Sequence, residues 1–183
     1  TSLNPIKKKH NKYVIKNNIS SKKKIFFVTK SQNDQKKFAD KLNFPIFQPY
    51  INGIELSVDC YASLKSKLIE TFPRKRTLVA NGESVITEYY EISKDLKNKL
   101  KFLIRKLSLT GHLNFQFRKN KKRFELMEVN CRFGGASYIS LKNNLDSFYW
   151  ILQEQNNERL NKKPKTIEKV FKKQIIFKES LLI

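Results

Sequence analysis

Residues 113–118 alternate strictly between apolar and polar side chains, and few patterns restrict a chain more. Leu113, Phe115 and Phe117 point one way; Asn114, Gln116 and Arg118 point the other. Period-2 alternation marks a half-buried strand, with one face in a core and one outside it. A second apolar-rich run covers residues 124–135 and ends in Gly134 and Gly135. Within it Glu128, Asn130 and Arg132 are spaced by two, so an extended chain sends all three from the same face. The short polar link at residues 119–123 predicts a hairpin joining the two strands.

An amide oxygen from Gln116, a carboxylate from Glu128 and an amide oxygen from Asn130 on one face make a hard-oxygen donor set. Magnesium prefers such ligands, keeps several waters and completes its shell with nucleotide phosphates. Arg132 stands one step further, and its planar fork suits a phosphate or acyl-phosphate oxygen. The same spacing also fits a surface hairpin with an ordinary polar face, and spacing alone leaves both readings standing.

With 183 residues, 39% hydrophobic and 12% aromatic, the chain can build one medium domain or two small subdomains around a real core. No apolar run approaches the length of a membrane span, and no signal-peptide pattern opens the sequence. Those features predict a cytoplasmic protein with no membrane partner. The first residue is Thr1, which suggests a fragment or a processed product.

The formal net charge is +22. A nucleic-acid binder clusters its charge on one face and interleaves aromatics for stacking. Here the basic residues are spread over nearly every loop and helix, and Lys outnumbers Arg. The spread favours a generally basic surface that attracts anions such as ATP and carboxylates. It weighs against nucleic acid as the partner, and a basic nucleic-acid-binding domain stays as an alternative. Cys60 and Cys131 lie far apart with no metal-type spacing, and both read as reduced. His10 and His112 are too few and too isolated for a zinc site; His112 reads as a loop or edge-of-strand residue.

Along the chain, residues 1–11 are polar and basic, a linker or the remnant of an upstream domain. Residues 12–16 and 25–29 read as two strands of a hairpin with a long tip. Residues 33–42 place Phe38, Ala39 and Leu42 at helical spacing, behind capping side chains at residues 31–34. Residues 44–51 are extended, because Pro45 and Pro49 exclude a helix interior. Asn52 and Gly53 form a turn signal. Strands follow at residues 54–62, 67–79 and 84–90, with a break at Asn81 and Gly82. Residues 93–107 are the clearest helix, with Leu96, Leu100, Leu103, Ile104 and Leu107 in one stripe. Residues 137–143 and 146–155 read as helical. The segment 161–183 is basic, with a strand candidate at residues 174–177. Antiparallel strands mixed with a few helices predict an α+β fold, not a doubly wound sheet.

This order of pieces resembles the ATP-grasp superfamily, and within it the ATP-binding domains of carbamoyl-phosphate synthase large chains and related carboxylate–amine ligases. The resemblance runs from about residue 12 to residue 150 and rests on an ordered set of motifs. It implies two α+β subdomains with the nucleotide cleft between them: a small lid-bearing one at residues 12–50 and a large one with the metal site at residues 51–160. It implies that Lys16, closing the strand that starts at Tyr13, holds nucleotide phosphates, with Ser20, Ser21 and Lys22 in the phosphate-covering loop. Gln48, Tyr50 and Ile51 would line the adenine site, and Glu55 would bind the ribose hydroxyls. Arg74 and Arg76 would lie near the phosphates or the acyl-phosphate. Gln116, Glu128 and Asn130 would be magnesium ligands, with manganese as a substitute. Arg132 would stabilise the transferred phosphoryl group.

Three departures from the family pattern stand out. The loop at residues 17–24 has no glycine, where the family uses glycine so that backbone N–H groups approach phosphate. Cys131 replaces the proline usual between the metal-binding Asn and the Arg. Pro49 replaces a glutamate after Gln48. The implied function is an ATP- and magnesium-dependent ligase domain that activates a carboxylate as an acyl-phosphate for attack by an amine or similar nucleophile. Its partners would be small-molecule carboxylate and amine substrates, and a separate or missing N-terminal α/β domain. A nucleotide-binding remnant without turnover is the other alternative.

Overall fold

The computed structural model describes residues 12–17, 26–31, 33–80, 82–121 and 123–161, without the side chain of Phe26. The predictions for residues 1–11, for His10, for Ser20, Ser21 and Lys22, for Asn81 and for the strand at residues 174–177 lie outside the described residues. The chain divides into two compact units, the first ending at Asn52 and the second starting at Gly53.

The first unit is a three-stranded antiparallel sheet with one helix. Strands β1 (Tyr13–Asn17), β2 (Phe26–Thr29) and β3 (Pro45–Pro49) lie in the order β2-β1-β3. Helix α1 (Asp34–Ala39) packs beside them. Tyr13 and Ile15 alternate inward from β1 and meet Phe47, Leu42, Phe27 and Phe38 in a small core. The rings of Phe27 and Phe38 stack at 4.7 Å. Strand β3 is an edge, which is where Pro45 and Pro49 can sit without removing a central ladder bond. At the start of α1, Asn33 makes no side-chain cap bond. Instead Ser31 Oγ accepts from the Asp34 N–H at 3.3 Å.

The second unit is a five-stranded antiparallel sheet. It comprises β4 (Ile54–Ala62), β5 (Leu68–Ala80), β6 (Glu83–Tyr89), β7 (Gly111–Asn120) and β8 (Arg123–Asn130), in the order β6-β5-β4-β7-β8. Helix α2 (Lys94–Lys106) covers one face. There Leu56, Val58, Cys60 and Ala62 of β4 and Leu113, Phe115 and Phe117 of β7 meet Leu96, Leu100 and Ile104 of the helix. Each of the Leu, Ile, Val and Phe side chains contributes roughly 1.5–3 kcal/mol by leaving water. Ser93 Oγ caps α2 by accepting from the Leu96 N–H at 3.2 Å. Beyond the stripe, Leu107 ends the helix 55% exposed and is not core, contrary to the sequence reading.

On the opposite face, α3 (Ser137–Lys142) and α4 (Ser147–Gln155) follow β8. Trp150 and Leu145 pack with Tyr61 and Phe72 of the sheet in a second core cluster. Trp150 also donates its indole N–H to the Asn161 carbonyl at 2.8 Å. His112 is the second residue of β7, which lies between β4 and β8, and it is buried. It stands at the start of the strand, as an edge-of-strand residue, and its burial there was not signalled by the sequence.

Gly53 fixes how the second unit begins. Its φ is +154°, and a Cβ there would stand 2.2 Å from the Lys119 carbonyl oxygen, a backbone atom that cannot turn aside. Among the described residues, no helix is long and apolar enough to cross a membrane.

The α2 stripe generates a direct test. Leu100→Ala should destabilise the protein by about 2–5 kcal/mol, the usual cost of a buried Leu truncation. Leu107→Ala should stay within about 0.5 kcal/mol, as surface changes do. Urea denaturation followed by circular dichroism measures both. Equal losses at the two positions would mean that the stripe is wrongly drawn.

Candidate metal and phosphate site

The polar face of the second sheet is built by register. Gln116 pairs across β7 and β8 with Glu128, and Asn114 pairs with Asn130. On the other side of β7, Gln116 pairs with Ser57, Asn114 with Asp59 and Arg118 with Glu55. Side chains at directly opposed positions share a face, so these residues converge. Strand β5 adds Arg74, opposite Ser57, and Arg76 two residues on.

The deeper part of the cluster centres on Asp59, which is fully buried. Arg74 reaches its Oδ2 with Nε at 3.2 Å and Nη2 at 3.0 Å. Ser140 Oγ of α3 donates to the same oxygen, and Asn114 Nδ2 donates to Oδ1. His112 Nε2 stands 3.8 Å from Oδ1, too far for a hydrogen bond, while its Nδ1 lies 2.8 Å from Ser147 Oγ. Burial pushes the Asp59 carboxyl up, but Arg74, His112, Ser140 and Asn114 together outweigh it. The carboxyl is held well below the usual carboxylate range.

The shallower part centres on Arg76. Its Nη1 donates to Glu55 Oε2 at 3.0 Å and to Gln116 Oε1 at 3.3 Å, and its Nη2 donates to the Gly82 carbonyl at 2.7 Å. Its Nε is buried without a hydrogen-bond partner. Burial draws the Arg76 pKa down, and Glu55 opposes that. Arg118 also pairs with Glu55, through Oε1, and donates to the Gly53 carbonyl at 3.0 Å. Asn130 Nδ2 donates to Glu128 Oε1 at 2.6 Å. Gln116 Nε2 faces Asn114 Oδ1 at 3.5 Å.

Among the described residues, no three His, Cys, Asp or Glu side chains come together as a metal cluster. A cation on this face would rely on mixed oxygen donors, and the donor set suits magnesium. Glu128 provides a carboxylate, and the nitrogens of both amides are engaged inside the cluster. That leaves Gln116 Oε1 and Asn130 Oδ1 as the amide oxygens for a hard cation.

The structure therefore gathers Gln116, Glu128, Asn130 and Arg76. It changes the setting of three other residues named from sequence. Arg74 is buried and committed to Asp59, deeper in the cluster than Arg76. Both oxygens of Glu55 are engaged by guanidinium groups, which the assignment to ribose did not anticipate. Strand β8 ends at Asn130, so Arg132 falls beyond it rather than continuing the extended face. It is exposed and donates to the Phe133 carbonyl at 3.1 Å. The Phe133 ring stacks between His112 at 4.1 Å and Phe148 at 4.4 Å. Cys60 and Cys131 are both free thiols, the first buried and the second exposed.

In the first unit, Lys16 lies on β1 opposite Ile46 and is half-buried. Gln48 is buried on β3. Tyr50 is half-buried, donates its N–H to the Lys12 carbonyl at 2.9 Å and carries Lys12 Nζ over its ring. Ile51 is half-buried.

Sequence reasoning missed Asp59, Asn114, Arg118 and Ser140. For Asn114 and Arg118 the signal was present, since both share the phase of Gln116. Asp59 was marked by the alternation of Leu56, Val58 and Cys60, which puts a carboxylate on the same polar face. Ser140 carried no signal, because its contact depends on where α3 packs.

A model of the family described as ATP-grasp in the biosynthetic pathway with Ter operon matches residues 43–176, well over half of the chain. No curated protein matches by sequence. Among solved structures, biotin carboxylase from Campylobacter jejuni, in complex with β-γ-ATP, aligns with a TM-score of 0.66 at 15% identity. The alignment covers 81% of this chain and 38% of that one. The ADP complex of N5-carboxyaminoimidazole ribonucleotide synthetase aligns with a TM-score of 0.66 at 16% identity, covering 84% and 43%. The biotin carboxylase domain of Hydrogenobacter thermophilus 2-oxoglutarate carboxylase, with MgADP, ADP and bicarbonate, aligns with a TM-score of 0.65 at 10% identity, covering 81% and 37%. At these identities the likeness is one of fold. The chain spans about two fifths of the length of these neighbours.

The buried pair predicts a pH dependence. A carboxyl whose folded pKa is depressed stabilises the fold above its unfolded value, 3.8 for Asp, and that contribution is lost as pH falls below it. Thermal melts between pH 7 and pH 2 should show the loss setting in below about pH 4. Asp59→Ala should cost about 3–5 kcal/mol at neutral pH, because it strands a buried guanidinium. The double variant Asp59→Leu with Arg74→Met should recover much of it. A double variant no more stable than the single one would refute this account of the pair.

Proposed function

The chain belongs to the ATP-grasp family, and on that footing we propose that it is the nucleotide-binding and phosphoryl-transfer part of a ligase joining a carboxylate to an amine or similar nucleophile. The observation that carries the reading is the convergence of Gln116, Glu128 and Asn130 beside Arg76 on one sheet face. A carboxylate and two amide oxygens suit a cation that completes its shell with phosphate and water.

In the proposed reaction, a substrate carboxylate oxygen attacks the γ-phosphorus of ATP. The bond to the β,γ-bridging oxygen breaks, leaving ADP and an acyl-phosphate. The amine nitrogen then attacks the acyl carbon, phosphate leaves with the C–O bond electrons, and the amine loses a proton. Bound magnesium would neutralise charge on the β- and γ-phosphoryl oxygens. This chain's residues place and neutralise groups rather than bond to them. Glu128, Gln116 and Asn130 would hold the cation. Arg76, already oriented by Glu55 and Gly82, would face the phosphoryl oxygens, and the exposed Arg132 would meet the acyl-phosphate. Lys16 would contact the nucleotide phosphates, and Gln48, Tyr50 and Ile51 the base. No side-chain nucleophile is required.

The acid and amine would be small molecules, and their contacts would fall largely to a further α/β domain of the kind that the family resemblance implies. Dependence on ATP fits a cytoplasmic setting.

Calorimetric titration of a non-hydrolysable ATP analogue, with and without magnesium, tests the proposal. Binding should require magnesium. Glu128→Gln and Asn130→Ala should each weaken it at least tenfold, about 1.4 kcal/mol. Folded protein that binds the analogue equally with and without magnesium would refute the assigned donors. Binding without any ADP release would favour the non-catalytic remnant. Salt-steep association with DNA or RNA, and none with nucleotide, would favour the nucleic-acid reading.

A further inference from the structure

The two amides of Gln116 and Asn114 lie in a hydrogen-bonded row whose ends are chemically one-sided. At one end is Asp59, an ionised carboxylate that can only accept. At the other is Arg76, a guanidinium that can only donate. Asn114 must therefore turn its NH2 toward Asp59 Oδ1, which puts its Oδ1 toward Gln116. Gln116 must then turn Nε2 toward Asn114, and its Oε1 is left on the side of Arg76. An amide is nearly symmetric in shape, so packing alone does not choose between its oxygen and its nitrogen. The ends of the row choose.

We infer that Asp59 is a positioning residue for the metal site: it fixes the polarity of Asn114 and, through it, presents the oxygen of Gln116 to the cation. This rests on the ligand assignment proposed above and adds a residue that touches neither nucleotide nor metal. The rest of the Asp59 environment serves the same end. Arg74 keeps the carboxylate ionised, and Ser140 ties it to α3, so it neither gains a proton to donate nor moves. An Asn at position 59 would keep the shape and lose the constraint. It can donate as well as accept, so Asn114 could reverse, and the Gln116 oxygen would then be held only by the 3.3 Å bond from Arg76, which a cation bound to that oxygen weakens.

The test is a Mn2+ titration of the full chain in the presence of ADP, with free Mn2+ read by electron paramagnetic resonance. ADP binding without metal and thermal stability are measured alongside. Asp59→Asn should lose about 10- to 100-fold in Mn2+ affinity, the range typical for groups that orient metal ligands. Its metal-free ADP binding should be unchanged. Swapping the pair, Asp59→Asn with Asn114→Asp, returns an acceptor-only group beside Gln116 and should restore Mn2+ affinity. A merely structural role would move stability and leave this split untouched. Folded Asp59→Asn with wild-type Mn2+ affinity would overturn the inference, as would a folded swap variant that recovers nothing. Should Asp59→Asn fail to fold, Asn114→Leu, which breaks the row but keeps the Asp59–Arg74 pair, must show the same Mn2+ loss or the inference falls. Wild type that binds ADP but no Mn2+ would remove the ligand assignment itself, an outcome distinct from failure at Asp59 alone.

Discussion

Strand β7 runs between β4 and β8, and its register with both neighbours is the constraint on which the second unit depends. On one face of the strand Leu113, Phe115 and Phe117 sit under α2. The other carries His112, Asn114, Gln116 and Arg118. Because side chains alternate, a slip of one residue would drive those polar groups into the core and expose Leu113, Phe115 and Phe117. Hydrophobic burial therefore pins the register. The register in turn sets Gln116 opposite Glu128 and Asn114 opposite Asp59. The functional geometry is thus a by-product of how the core is packed on the far side of the same strand.

Charge on this face is arranged differently from charge on the chain as a whole. The protein carries +22, yet within the cluster Arg74, Arg76 and Arg118 stand against Asp59, Glu55 and Glu128. Three cations meet three anions, so the site is nearly balanced. Buried guanidinium groups need that balance, since an unpaired charge in a dry environment costs several kcal/mol. The lysine surplus lies elsewhere and acts at long range by drawing anions toward the protein. In the proposed function, close placement of phosphate would rest on Arg76, whose orientation is fixed by Glu55 and by the Gly82 carbonyl.

How much was legible in the sequence follows from the range of the interactions. The β7–β8 hairpin, the α2 stripe and the triad of Gln116, Glu128 and Asn130 follow from alternation and helical spacing, which are local. Arg132 keeps the two-residue spacing in sequence, but the chain bends after Asn130 and the arginine donates to the Phe133 carbonyl. Arg74 and Arg76 have the same chemistry and the same phase on β5. What separates them is that Asp59 lies beside one and Glu55 beside the other, fifteen and twenty-one residues away. Local spacing cannot see such partners. The burial of His112 was hidden for the same reason, because it comes with Phe133 and with Ser147 on α4.

The balance also explains why the donor set contains two amides. On this face Asp59 and Glu55 are held by arginines. Glu128 accepts from the Asn130 amide and also acts on Arg76 through its charge. A site with one carboxylate and two neutral oxygens carries too little negative charge to form a closed all-protein cage for a divalent cation. It becomes favourable when phosphate oxygens supply the remainder, which is how magnesium is commonly held beside nucleotides. Coupling of metal to nucleotide would therefore follow from the arginine count. A carboxylate that holds a guanidinium has less charge to offer a cation, so Glu55, between Arg76 and Arg118, would add little to a metal on this face.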